Sequence, residues 1–245
     1  MAKRLPTTYI LYGYAVRESV RAKRLSIRVS RTAEVEVVAP CGCPKKRIAE
    51  FVQAKQKWIE KTVQKVDMER RLRPEESQGE LPTKIVLRSL PQEWTVVYRN
   101  ENRENVSLKS IDPYRLIVSG GINHVPTCHY VLQKWVRKQA QFYIPQWLRT
   151  VSQETSLSYS KVTIRRQKTL WGSCSSKGSI NLNDKLLFLP FALARYVLIH
   201  ELCHTVHMNH GPDFWALVEQ KEPDYRKLDQ DLNDAWHYVP DWLIT

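Results

Sequence analysis

Nowhere does this 245-residue chain approach the roughly 18 consecutive apolar residues that a membrane span requires. Behind the basic start Met1-Ala-Lys-Arg no sustained apolar stretch follows, so no secretory signal is expected. Cysteine is scarce and odd in number, at Cys41, Cys43, Cys128, Cys174 and Cys203. Without a secretory signal, that count argues against a disulfide framework and for a reducing, cytoplasmic setting. Cys41-Gly-Cys43 lacks a second cysteine pair at ligand spacing. It reads as a tight turn before Pro44 rather than as half a metal site. A P-loop and a carboxylate-rich magnesium site are also missing.

What is present is apolar material in quantity. Hydrophobic residues make up 42% of the chain, with eight Trp and eleven Tyr, enough for one large domain or two small ones. The net charge of +13 is unevenly spread. Residues 1–66 carry 15 Lys/Arg against 5 Asp/Glu, whereas residues 200–245 carry 3 against 9. A basic N-terminal half can attract nucleic acid or another polyanion, although most basic faces are simply solvated.

Residues 8–39 alternate apolar and polar positions in β-branched runs such as Leu25-Ser-Ile27-Arg-Val29, which predicts antiparallel strands. Residues 45–66 switch to helical spacing, with Ile48, Phe51, Val52, Ile59 and Val63 on one face. The segment from Met68 to Leu81 is charged and nearly free of apolar residues, and reads as a linker. Strand-like runs return at 84–88, 94–98, 106–108 and 116–118, before a helical pattern from 127 to 152 interrupted near Pro145. Gln56-Lys57-Trp58-Ile59 is echoed by Gln133-Lys134-Trp135-Val136, each in a helix that follows a strand, which permits a duplicated unit. The resulting division is an N-terminal β-rich plus helix region over 1–70, a linker with strands over 71–122, and a catalytic region over 123–245. A single domain is the alternative.

The chemistry lies in His200-Glu201-Leu202-Cys203-His204. On a helix His200 and His204 stand one turn apart, about 40° around the axis, so both imidazoles can face one ion. Neutral imidazoles suit borderline-soft zinc, and the unligated Glu201 can take a proton from a zinc-bound water. The residues around this motif, including Leu193, Tyr196, Val197, Ile199 and Val206, are largely apolar and suit a buried helix. Buried histidines need a partner, which a metal supplies.

Two residues compete for a third ligand position. His207 follows on the same helical face, but three ligands from one straight helix cannot surround an ion. His210 requires the helix to end first. Asn209, which tolerates a left-handed conformation, and Gly211-Pro212 both favour such a stop, and hence His210.

The run His200-Glu-Leu-Cys-His204-Thr-Val-His-Met-Asn209-His210-Gly-Pro-Asp-Phe214-Trp215 resembles the bacterial YgjP-like metallopeptidase family, itself similar to the SprT-like zinc peptidases. So do Trp171-Gly172-Ser173-Cys174, Ile180-Asn-Leu-Asn183, and the N-terminal Ala39-Pro40 and Lys57-Trp58-Ile59. The resemblance covers about residues 9–240 and is densest over 161–218. It implies that His200, His204 and His210 bind zinc (Zn2+) and that Glu201 is the catalytic carboxylate. It also implies a zincin-like α+β fold, with an active-site helix under an antiparallel sheet. Leu170 departs from the family's common arginine and Gly211 from its common serine.

The expected activity is therefore that of a zinc metallopeptidase acting on a peptide or protein. Arg165, Arg166, Lys168, Tyr196 and His207 are candidate oxyanion donors, and strand 179–183 is a candidate free edge for pairing with substrate. Trp171 and Trp215 read as core rather than as a substrate platform. Two other readings compete. One is a metal-dependent hydrolase of nucleotide phosphoanhydrides. The other is a nucleic-acid-associated module with structural zinc, against which the open three-ligand pattern argues.

Overall fold

The period-two runs become strands, and the pairing of those strands differs from a simple meander. The computed structural model describes residues 8–30, 33–71 and 81–244, and the chain divides into two compact units, Met1–Pro74 and Glu75–Thr245.

In the first unit, β1 (Thr8–Leu11), β2 (Tyr14–Ser19), β3 (Ser26–Val29) and β4 (Val35–Pro40) form a sheet in the order β1-β2-β4-β3. β2 and β4 run parallel while the other pairs are antiparallel, which corrects the all-antiparallel expectation. The cause is topological. β4 enters between β2 and β3, and two reversals of direction leave it aligned with β2. Val16, Val37 and Ala39 share one sheet face and form a core with Ile48 and Val52 of α1 (Lys45–Ala54) and Ile59 of α2 (Gln56–Arg71). Cys41-Gly-Cys43 forms a turn, with Gly42 at φ 79° and Cys43 N–H donating to the Pro40 carbonyl. α2 continues to Arg71, past the expected start of the linker at Met68; residues 72–80 of that linker lie outside the described residues.

The second unit opens on the same plan. β5 (Lys84–Leu87), β6 (Gln92–Asn100), β7 (Ser107–Asp112) and β8 (Arg115–Gly120) are ordered β5-β6-β8-β7, with β6 and β8 parallel. A helix follows each sheet, and the Gln-Lys-Trp echo falls on α2 and on α3 (Val125–Thr155). Its fourth residue is a core position both times, Ile59 and Val136. α3 is not interrupted at Pro145, although proline removes a donor there. The fully buried Ile144 and Leu148 on either side hold the helix by packing.

Beyond α3 come β9 (Lys161–Arg165), β10 (Gly172–Cys174) and β11 (Ser179–Asn183), then α4 (Phe191–Cys203), α5 (Pro212–Lys221) and α6 (Tyr225–Asp234). The sheet order is β10-β11-β9, with β11 antiparallel to β10 and parallel to β9. Two expectations fail here. This sheet is mixed rather than antiparallel, and residues 179–183 are its centre, not its edge. The chain is thus α+β with three mixed sheets. One hydrophobic core runs from Ile85 and Leu116 through Leu132 and Ile144 to Leu198 and Trp242, so strands 84–120 share it with the histidine-bearing helix. Among the described residues, no helix is long and apolar enough to cross a membrane.

The loop 166–171 carries the chain over the end of β11 and delivers Gly172. Buried Asn183 pins it, donating from Nδ2 to the carbonyls of Gln167 and Leu170. Arg166 anchors its start by donating to Asp184 Oδ2 and to Gln133 of α3. The Asp184 side chain is fully buried, so Arg166 supplies its compensating charge. Replacing Arg166 with Met is expected to cost about 3–5 kcal/mol, because it strands a buried carboxylate. Urea unfolding should show a lower midpoint, with the double variant R166M/D184L recovering most of the loss.

Candidate metal centre

α4 is apolar nearly all round, and such a helix is buried. Leu193, Val197, Leu198, Ile199 and Leu202 are each no more than 5% exposed. The same burial carries Glu201 and His204 inside, at 6% and 8% exposure. The helix ends at Cys203, with His204 still right-handed at φ −65°. Thr205 stops it, its hydroxyl and its N–H both bonding the Leu202 carbonyl. Asn209 has no positive φ, so the expected left-handed stop is replaced by this threonine cap.

The chain then turns back, and Pro212 starts α5. The result is a convergence of His200, His204 and His210, whose ligand-capable atoms all lie within 4.8 Å of one another. His200 Nε2 and His210 Nε2 are 3.1 Å apart. His207 contributes its backbone instead of its ring, since His204 Nδ1 donates to the His207 carbonyl at 2.9 Å. That bond fixes the tautomer of His204 and leaves Nε2 as its lone pair. Phe214 touches all three rings, stacked on His204 at 4.4 Å and edge-on to His200 and His210 at 5.0 and 4.8 Å.

Burial, together with the neighbouring His204 and His210, pushes the His200 pKa down to about 3. Burial also lowers that of His204. The carboxyl of Glu201 is moved the other way, to about 8, by the same desolvation. Its Oε2 is buried with no hydrogen-bond partner. Gly172 makes room for it, because a Cβ at that position would lie 2.7 Å from Glu201 Cγ and Oε1.

These groups border a cleft of about 370 Å³, walled by Leu170, Trp171, Val197, Met208 and Leu232. A larger cavity, about 850 Å³, lies at the other end of α4 between Pro190 and Tyr238 and contains none of the three histidines. The three histidines and Glu201 border the smaller space. Trp171 is 9% exposed and stacks on Trp236 at 3.9 Å, a wall of the cleft built into the core. None of the five candidate oxyanion donors lines the cleft. Arg165 bonds Asn181, Arg166 bonds Asp184, and Tyr196 donates to Asp229. Sequence reading gave no role to Gly172 and Phe214, which it named only within the motifs that carry the resemblance, and missed Asp229 altogether, because all three depend on contacts across the fold.

The family model "YgjP-like, metallopeptidase domain" matches residues 23–235. The chain belongs to the YgjP-like metallopeptidase family. Among solved structures, the metallopeptidase zymogen abylysin of Pyrococcus abyssi is similar at 26% identity and a TM-score of 0.33, over 36% of this chain and 90% of that one. No curated protein matches it. Membership in the YgjP-like family identifies a metal-dependent hydrolase, and among the described residues the three-histidine cluster is a group of side chains that could hold the metal.

Because Gly172 faces Glu201, Gly172→Ala should displace the carboxylate without touching the histidines. Peptide turnover is expected to fall about 10²-fold, while metal content measured by mass spectrometry stays at the wild-type level. Undiminished turnover would show that the carboxylate position is not set by this contact.

Proposed function

We propose that this YgjP-like protein is a zinc peptidase in which His200, His204 and His210 hold the ion and Glu201 transfers protons. The observation that carries it is the convergence of three imidazoles beside a buried carboxylate whose Oε2 no protein group satisfies. The donor set fits the metal. Neutral imidazole is a preferred zinc ligand, and three protein ligands leave a position for chemistry. Nitrogen pairs on one tetrahedral zinc stand about 3.3 Å apart, close to the 3.1 Å between His200 and His210.

When bound, zinc lowers the pKa of water and polarises a carbonyl oxygen. Glu201 accepts a proton from the attacking water and returns it to the leaving nitrogen. A carboxyl raised to about 8 suits both directions of that transfer near neutral pH. Burial of the apolar helix lowers the pKa of His200 and His204, which leaves their lone pairs available.

The edge strand beside the cleft supports a polypeptide substrate. β10 pairs with β11 on one side only, through Trp171, Ser173 and Ser175. By the alternation of an antiparallel ladder, the N–H and C=O groups of Gly172 and Cys174 point outward, where an extended peptide can pair. A phosphoanhydride is less well served. Among the described residues lining the cleft there is no Lys or Arg to meet its charge.

Glu201→Gln is expected to retain one zinc per chain and to lose about 10²–10⁴-fold in peptide turnover. Stripping the metal with a chelator should lower the thermal midpoint of both proteins, and zinc should restore it. A screen that finds nucleoside triphosphates cleaved and peptides untouched would sink the peptidase reading.

A further inference from the structure

Asp229 neither holds the ion nor moves the proton in the scheme above, yet it opens onto the same cleft. It lies on α6, which packs against α4. Asp229 Oδ1 accepts a hydrogen bond from Tyr196 Oη at 2.9 Å, and Tyr196 is fully buried one turn before His200. A buried phenol needs only a neutral acceptor, which an amide or a backbone carbonyl supplies equally well. The carboxylate brings a full charge and a second oxygen that the phenol does not use. That surplus points to a ligand.

The walls say what kind. Leu232 stands three residues after Asp229 on the same face of α6, and Val197 follows Tyr196 on α4. With Trp171, Leu170 and Met208 they give the cleft an apolar lining, and the only carboxylates along it are Glu201 and Asp229. No Lys or Arg is found among the described lining residues to neutralise Asp229. An alkyl stem with a cation at its tip matches an apolar wall next to a carboxylate, as Lys and Arg side chains do. The surrounding field has the right sign, since residues 200–245 carry nine acidic residues against three basic ones.

We propose that Asp229 is the specificity-determining residue of this cleft and selects an arginine or lysine side chain close to the bond that is cut. The proposal rests on the peptidase reading, because it names the substrate that the same site takes. Tyr196 acts as a positioning residue, holding the carboxylate through Oδ1 so that Oδ2 faces the ligand. One charge-assisted hydrogen bond is worth about tenfold to a hundredfold in affinity.

The test uses zinc-loaded Glu201→Gln protein, so that binding is read without turnover. Calorimetry compares N-acetylated peptides that differ only in carrying arginine or its neutral isostere citrulline. The arginine peptide should bind about 10- to 100-fold more tightly. Adding Asp229→Asn, which keeps an acceptor for Tyr196, should bring the two within about twofold. Adding Tyr196→Phe instead, which keeps the charge but releases the carboxylate, should reduce the preference without abolishing it. Equal binding of both peptides, binding of neither, or a preference that survives Asp229→Asn overturns the proposal. So does a preference for a free over an acetylated N-terminus with none for arginine, which would assign the carboxylate to the terminal amine. Failure of the wild-type protein to cleave any peptide removes the peptidase reading instead, and the arginine-citrulline difference in binding is measured independently of that result.

Discussion

The burial of α4 is the constraint on which the rest of the second unit depends. An apolar helix is simple to bury, but this one takes Glu201 and His204 in with it and half-buries His200. Each of those groups loses hydration, and the surrounding architecture is arranged to offset that loss. Phe214 supplies packing against all three imidazoles, the His207 carbonyl accepts a hydrogen bond from His204 Nδ1, and Gly172, having no side chain, leaves room for Glu201. Oε2 of Glu201 is left without a hydrogen-bond partner, which the proposed proton transfer would explain. A buried polar group without a partner is rare enough in a native protein to need such an explanation.

Placing Gly172 requires a chain of contacts that begins far from the cleft. Gln133 on α3 holds Arg166 and also donates to the Trp242 carbonyl. Arg166 holds Asp184, and Asn183 next to it holds the loop that ends at Trp171. α3 in turn follows a sheet with the same strand order as the first unit, β-hairpin outside and parallel pair within. The two units differ in how far the helix is covered. Trp58 in the first is 48% exposed, whereas its counterpart Trp135 is 7% exposed and packs edge-on to Trp94. The helix of the second unit is 31 residues long and so offers a surface long enough to support α4.

Local pattern carried much of this in the sequence. The apolar helix, its two histidines one turn apart and the need for a stop before His210 were all legible, because they follow from a period of 3.6 and from proline and glycine positions. The strands were legible for the same reason. Pairing was not. Nothing in residues 35–40 states that β4 will insert between β2 and β3, or that Ser179–Asn183 will be a central strand, since alternation is the same at an edge and in a centre. Pro145 was misread because tertiary packing by Ile144 and Leu148 overrides the local cost of proline. The stop after Cys203 was assigned to Asn209 when Thr205 makes it, by a side-chain bond that leaves no periodic trace.

One cause, loss of water, sets the two kinds of group in this site apart in opposite directions. Desolvation penalises whichever form is charged. For imidazole that form is protonated, so His200 falls to about 3 and presents a lone pair across the whole neutral range. For a carboxyl it is deprotonated, so Glu201 rises to about 8, in keeping with the proton transfer proposed for it. A hydrolytic site needs both shifts at once, donors that never compete with protons and a base that exchanges them readily. Residue-by-residue tuning is unnecessary when a single apolar helix imposes both. On this largely buried helix the order His-Glu-x-x-His thus suits the proposed separation of ligand from base. The feature left to the remainder of the fold is geometric, the return of the chain that brings His210 within reach of the other two rings.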